Sequence, residues 1–438
     1  MPQKADIIIK NGTVVTVDND FRILENTDVV IKDSKIIEIT ADTSYSSPKV
    51  IDAKNQVVIP GLINCHCHAA MTLLRGLEDD MPLDVWLNEH IFPIEKKFGS
   101  EEFVEVGTSL ALVEMIKSGT TTFLDMYYYE GVVAKVCKKV GMRAFLGEGI
   151  IDLPTPNCAS AGETQKYVEK LIRQWKGDPL ISFIASAHTP YTCSKEVLQN
   201  VIKFAEKNNL ILDIHLSETQ GEVEDFKNKE GKSPVEYLES IGYLGGSTIC
   251  AHCVWLDEKD IKLLAKNGVT AVHCPESNMK LASGIAPVPE MIAAGVNVAL
   301  GTDGTASNND LNMIGEMGTA AKLNKVRTMD PTVMSAEAVL KMATINGARA
   351  LKAADKIGSI EVGKLADIAI LNFNQPHLTP VYDVVSHLVY AANGSEVDTV
   401  IINGKIVMEN RIMKNIAEQT VIDKARAFSR RIKDEKKK

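Results

Sequence analysis

Between residues 57 and 350 the chain alternates two kinds of segment, and this alternation limits the fold more than any other feature. Eight short apolar runs recur: VVIPGLINC, TTTFLDM, RAFLGEG, ISFIASAH, LILDIHL, STICAHC, TAVHCP and NVALGTDG. Longer stretches with apolar residues at three-to-four spacing lie between them, among them EEFVEVGTSLALVEMIKSG and KEVLQNVIKFAEKNN. The short runs read as strands and the longer stretches as helices. Strand followed by helix, repeated, makes the strands parallel. Eight such units predict a (β/α)8 barrel of the TIM type, a fold of about 250 residues before insertions. An open doubly wound sheet would carry a glycine-rich phosphate turn after its first strand. GLINCHCH has no such turn.

The two ends of the chain are different. DIIIKNGTVVTV, DVVIKDSKIIEIT and KVIDAKNQVVI are β-branched runs broken by Asn-Gly and Asp-Ser, as hairpins are. The same style returns in GSIEVGKLADIAILNF and VDTVIINGKIVME. Neither end has enough strands to close a core alone. The expected organisation is therefore α/β: a barrel at 59–355, and a small β-sandwich built jointly from 1–58 and 356–438.

A net charge of −9 argues against nucleic acid or an anionic membrane as partner. The opening MPQKADIIIK lacks the long apolar stretch of a secretory signal. No apolar run reaches the roughly 18 residues needed to span a bilayer. Eight scattered cysteines do not make a disulfide scaffold, which points to a reducing cytoplasm. The basic tail RIKDEKKK reads as a solvated helix end.

Histidine placement carries the chemistry. Of nine histidines, His66, His68, His188, His215, His252 and His273 fall at or near the C-terminal ends of the predicted strands. That rim is where barrels build active sites. Within CHCH, side chains alternate along a strand, so His66 and His68 share one face and Cys65 and Cys67 the other. The other rim residues select the histidines. His215 in DIHLSE and Asp303 in LGTDG complete an N/N/N/O donor set. Such a set suits one divalent ion, zinc first, with Fe(II) or Mn(II) as alternatives, and leaves a position for water. A second ion is not expected, because ISFIASAH offers no lysine to bridge two. Cys250 and Cys253 in CAHC read as packing residues. Glu218, three residues past His215, is placed to shuttle protons, although alone it would read as a solvated loop carboxylate. Asp303 takes a proton from the water, and His252 polarises the attacked centre or holds the hydroxide. Together these groups perform hydrolysis at an electron-poor carbon.

PGLINCHCH, IHLSE, AHCVWL, HCPESNMKLASGIAPVPEM and LGTDGTASNN together resemble the amidohydrolase superfamily, in its mononuclear aminohydrolase branch. Within it the chain is most similar to the 5-methylthioadenosine/S-adenosylhomocysteine deaminases, including the 5′-deoxyadenosine deaminases, over nearly its whole length. The resemblance implies hydrolytic deamination of 5′-modified adenosines to the inosine analogues plus ammonia. Candidate substrates are 5′-methylthioadenosine, 5′-deoxyadenosine, adenosine and S-adenosylhomocysteine. It also implies that Glu95 accepts from the ribose hydroxyls, that Trp86 packs on the substrate, and that His188 and Ser307 touch it beside Glu218. Read without the resemblance, PIEKKF is a surface helix with Glu95 solvated. His273 stands between a supporting and a structural role. Relatives are commonly homo-oligomers, so a dimer or tetramer is expected.

One departure bears on substrate choice. Some members carry an arginine after the third strand for the amino-acid carboxylate of S-adenosylhomocysteine; here Glu148 stands in LGEGIIDLPTPN, and repulsion is expected to disfavour that substrate. Two other readings compete. One is an aminohydrolase or chlorohydrolase for another heterocycle, guanine or an s-triazine. The other is an inactive barrel that serves as a binding protein, which would require a missing ligand or a missing Glu218.

Overall fold

A computed structural model describes residues 3–436; Met1 and Pro2 of the opening segment and Lys437 and Lys438 of the basic tail lie outside the described residues. The preceding part of that tail belongs to the helix Glu418–Lys436, which buries Phe428 and Ile432.

Two sheets organise the chain. The first holds β1 (Ile7–Val15), β2 (Ile23–Lys32), β3 (Lys35–Thr40), β4 (Lys49–Asp52) and β5 (Gln56–Pro60) from the beginning of the chain. The second holds β6 (Leu62–Cys67), β7 (Thr120–Tyr127), β8 (Arg143–Ile150), β9 (Ile181–Phe183), β10 (Ala185–Ala187), β11 (Leu212–Leu216), β12 (Thr248–His252), β13 (Thr270–His273) and β14 (Asn297–Leu300). The chain then returns to the first sheet with β15 (Ile368–Asn372), β16 (Val397–Ile402), β17 (Lys405–Glu409) and β18 (Ile412–Met413).

The second sheet is the predicted barrel. Its neighbours run in chain order and pair in parallel, and β9 and β10 form one barrel strand interrupted at Ile184, since both pair with β8. Each of the eight apolar runs supplies one barrel strand. The barrel closes between its ends, where Asp303 N donates to His66 O at 2.9 Å and Cys67 bridges to Asp303.

The first run is divided. Its VVIP portion, in β5, lies between β1 and β15 of the first sheet, and only LINC enters the barrel. Gly61 stands at the join. A Cβ there would lie 2.1 Å from Thr121 Oγ1, so only glycine lets the chain pass β7. The expected boundary after residue 58 falls inside β5, because Pro60 and Gly61 leave no break in the extended pattern.

The first sheet is mixed, ordered β18-β17-β16-β15-β5-β1-β2-β3 with β4 on β1. Ile9, Val29, Val58, Ile368, Ile370 and Ile401 meet in one core drawn from both ends of the chain, the small sandwich domain. Asp33-Ser34 and Asn403-Gly404 have positive φ at both positions and turn the chain in two-residue hairpins. Asn11-Gly12 is not a hairpin. It lies inside β1, where the pairing with β2 shifts register, and Asn11 takes φ 60 as part of a bulge. Arg143, at the entrance of β8, donates to Asp367 at 2.7 and 3.1 Å and ties the barrel to this sheet. Among the described residues, no helix is long and apolar enough to cross a membrane.

Candidate active site

The cluster at the C-terminal ends of the strands starts from β6. Its alternation sends His66 and His68 to one side. On the other, Cys65 faces the helix Ile345–Ala350, where a Cβ on Gly347 would lie 3.0 Å from its Sγ. All eight cysteines are free and buried. Burial raises the Cys65 and Cys67 thiols, so neither is a ready thiolate donor.

Three other strand ends converge on the two histidines. His68 Nε2 lies 3.1 Å and His66 Nε2 3.5 Å from Asp303 Oδ1, and His215 Nε2 lies 3.4 Å from His68 Nε2. The ligating atoms of His66, His68 and Asp303 lie within 4.8 Å of one another, as do those of His66, His215 and His252. Backbone carbonyls choose the free nitrogens. His68 Nδ1 donates to Met126 O at 2.5 Å and His215 Nδ1 to His188 O at 2.7 Å. A carbonyl only accepts, so Nδ1 carries a proton in each ring and Nε2 is the nitrogen turned to the cluster. His66 is fully buried and neither ring nitrogen has a hydrogen-bond partner among the described residues. A buried imidazole in that state is costly unless something else engages it, and a divalent cation among three imidazoles and a carboxylate does so.

Charge follows the same layout. Burial alone would raise Asp303, but the neighbouring His66 and His68 rings outweigh it and hold the carboxyl well below its usual range. Burial opposes a charge on His68, yet Asp303 lifts its pKa to about 9. Burial lowers His66 to about 4. Asp303 itself sits at φ 63. The neighbouring glycines serve close approach rather than turning, since a Cβ on Gly301 would lie 2.8 Å from His66 N.

Glu218 is buried, not solvated, and burial raises its pKa. Its Oε2 lies 3.7 Å from His252 Nε2. Burial pushes His252 down, but the charges of Glu218 and Asp303 overcome it and raise the ring. His252 thus stands beside both Glu218 and the donor cluster.

One short segment, 277–283, reaches three of these groups. Ser277 Oγ donates to Asp303 Oδ2 at 2.6 Å, Asn278 Oδ1 accepts from His252 Nδ1 at 2.9 Å, and Ser283 Oγ donates to Glu218 Oε1 at 3.3 Å. Lys280 in the same segment pairs with Asp79 and reaches Ala306 O. Reading the sequence assigned no role to these residues; the only signal was their place inside HCPESNMKLASG.

A cavity opens onto the cluster. His68, His215, His252, Asp303 and Glu218 line it, as do Glu95, Trp86, His188 and Ser307. Glu95 is only 3% exposed, so PIEKKF is not a solvated surface helix at that position. Trp86 begins a π-helical turn, Trp86–Ile91, and its Nε1 donates to Glu78 O at 3.1 Å. His188 Nδ1 bonds Thr192 Oγ1 at 2.9 Å. Ser307 Oγ donates to Asp303 Oδ2 at 2.8 Å, which gives it a second attachment besides the cavity wall. His273 is buried behind the cluster, does not line the cavity, and has no partner for either ring nitrogen among the described residues.

Glu148 differs from expectation. It does not line the cavity. Its carboxylate accepts from Tyr129 N and Glu130 N, both at 2.9 Å, and from Asn157 Nδ2 at 2.7 Å, at the start of the helix Glu130–Val140. The repulsion expected from it against a substrate carboxylate has no geometric basis. What the cavity does lack is any lysine or arginine among its lining residues.

The amidohydrolase family matches residues 57–407. The chain is 48% identical to a 5-methylthioadenosine/S-adenosylhomocysteine deaminase of Syntrophobacter fumaroxidans over 98% of this chain and 99% of the relative. It is also 48% identical to a 5′-deoxyadenosine deaminase of Methanosarcina barkeri, over 96% and 97% of the two chains. Among solved structures, an adenosine deaminase from Xanthomonas campestris with bound zinc superposes with a TM-score of 0.97 at 38% identity, covering 99% of this chain and 100% of that one.

Proposed function

This chain belongs to the amidohydrolase family, and on that premise we propose that it deaminates 5′-modified adenosines to the inosine analogues with release of ammonia. The observation that carries the reading is that His68, His215 and Asp303 of the donor cluster, the acid Glu218 and the carboxylate Glu95 all line one cavity. His66, His68, His215 and Asp303 would hold one divalent ion, zinc first, with Fe(II) or Mn(II) as alternatives. When bound, such an ion lowers the pKa of water toward neutrality and so supplies the nucleophile.

The protein's own groups do the rest. Asp303, with Oδ2 fixed by Ser277 and Ser307, presents Oδ1 as the acceptor for the proton of the attacking water. Glu218, kept protonated more readily by burial, gives its proton from Oε2 to N1 of the purine as water adds at C6. His252 Nε2, fixed in direction by Asn278, faces the developing oxygen. Asp303 then passes its proton to the C6 amino group, the C6–N bond breaks and ammonia leaves, and the proton of the C6 hydroxyl returns to Glu218 as the carbonyl forms. Glu95 accepts from the ribose hydroxyls, while Trp86 and His188 close the substrate in. Because no lysine or arginine among the described residues lines the cavity, uncharged 5′ groups (methylthio, hydrogen, hydroxyl) suit it better than the zwitterionic tail of S-adenosylhomocysteine.

The same proposal includes a barrel domain, a composite domain formed from the two ends of the chain, a homo-oligomer (dimer or tetramer) and a cytoplasmic location. The test is a screen of methylthioadenosine, 5′-deoxyadenosine, adenosine, S-adenosylhomocysteine and guanine, followed by ultraviolet change and ammonia release. Turnover of the first three, abolished by a chelator and restored by zinc, is expected. Turnover of guanine alone, or of none, overturns it.

A further inference from the structure

Glu95 comes from the helix Phe92–Phe98, outside the barrel strands, yet it must be held at a fixed distance from the metal cluster. A single side-chain bond does this. Its Oε1 accepts from the Tyr127 hydroxyl at 2.5 Å, and Tyr127, only 4% exposed, is the last residue of β7. The Tyr128 ring packs beside it with centroids 4.9 Å apart, which limits rotation of the phenol. Among the described residues Glu95 Oε2 has no protein partner, and Glu95 and Tyr127 both line the cavity.

The residue before Tyr127 supplies the second half of the argument. Met126 O is the carbonyl that accepts from His68 Nδ1 and so directs His68 Nε2 into the donor cluster. Two successive residues at one strand end therefore orient the two ends of the substrate site. Met126 aims a ligand of the reacting end, and Tyr127 aims the carboxylate at the far end.

We propose that Tyr127 is a positioning residue for ribose recognition. It occupies one oxygen of Glu95, leaves the other to accept from the vicinal hydroxyls, and fixes that oxygen relative to the barrel frame that holds His68. This rests on the nucleoside reading given above. A carboxylate without this bond could still accept from a hydroxyl, but it could turn about its own stem, and the hydroxyls would no longer register the purine over the cluster.

The test compares adenosine with 2′-deoxyadenosine and 3′-deoxyadenosine in the metal-loaded wild type, Tyr127→Phe, Glu95→Gln and the double variant. Wild type should prefer adenosine over each deoxy analogue by about 10- to 100-fold in kcat/KM, the range of a hydrogen bond to a charged group. Tyr127→Phe should shrink that preference to roughly threefold or less, mainly through KM for adenosine, with metal content unchanged. In the Glu95→Gln background the same substitution should change the preference no further. An undiminished preference in Tyr127→Phe, or an equal loss on all three nucleosides, overturns the assignment to Tyr127 and leaves the nucleoside reading standing. Failure of the wild type to turn over any adenosine removes both.

Discussion

The barrel rim and the terminal sheet use the same unusual backbone conformation for different ends. In the terminal sheet Asp33, Ser34, Asn403 and Asn410 take positive φ in hairpin turns, where the turn geometry calls for it. At the rim Ser217, His252, Cys253 and Asp303 take it at or within three residues of strand ends, where it costs on the order of 1–3 kcal/mol each. Buried polar groups divide the same way. In the sheet Asp28 accepts from Asn11 N and Thr43 N, at 3.1 and 3.2 Å. At the rim His66, His273 and Ser217 keep buried polar atoms without partners. The sheet's buried carboxylates are satisfied by protein donors, with Gln56 Oε1 left over, whereas the rim keeps imidazoles that a bound ion would satisfy.

The contrast can be broken at its strongest point first. His66→Ala should abolish binding of the divalent ion and lower kcat at least about a thousandfold, matching the several kcal/mol such an ion contributes. Against the metal-free wild type the melting temperature should fall only by what one buried ring contributes, about 3–5 °C, because the lost imidazole makes no hydrogen bond to the described residues. Metal analysis and calorimetry check both halves; a collapsed melting temperature would show that the rim is structural after all. Asp367→Ala should do the reverse. It strands the buried Arg143 and should cost about 3–5 kcal/mol in denaturant unfolding, with kcat/KM of the folded fraction unchanged. Between these lies Ser277→Ala, which removes one donor from Asp303 Oδ2 and leaves Ser307 in place. A loss of about 10- to 100-fold in metal affinity is expected, as for other groups that orient a ligand, and competition with a chelator measures it.

Legibility in the sequence followed the same line. The eight barrel strands could be read because each is an apolar run set off by amphipathic stretches, and the histidines because strand alternation sorts CHCH into two faces. The division of the first run between two sheets could not be read, since Pro60 and Gly61 continue an extended chain without a polar break. Asn11-Gly12 looked like a hairpin because bulges and turns draw on the same residues. Within the site, ionisable groups stood out, whereas Ser277, Asn278, Ser283 and Tyr127 did not. Hydroxyls and amides are common, and their partners are remote: Ser283 meets Glu218 65 positions away, and Tyr127 meets Glu95 32 positions away. Glu148 was read from its position alone, and only the structure shows it turned to the helix start.

The join at Gly61 also sets a timetable for folding on the ribosome. β5 is made early, but its neighbour β15 begins only at Ile368, after the whole barrel. At about 5–20 residues per second, some 300 intervening residues take roughly 15–60 s. Throughout that interval the Val57–Ile59 edge waits without the strand that covers it, so the newborn chain is most exposed to sticking to its neighbours just before its last strands emerge.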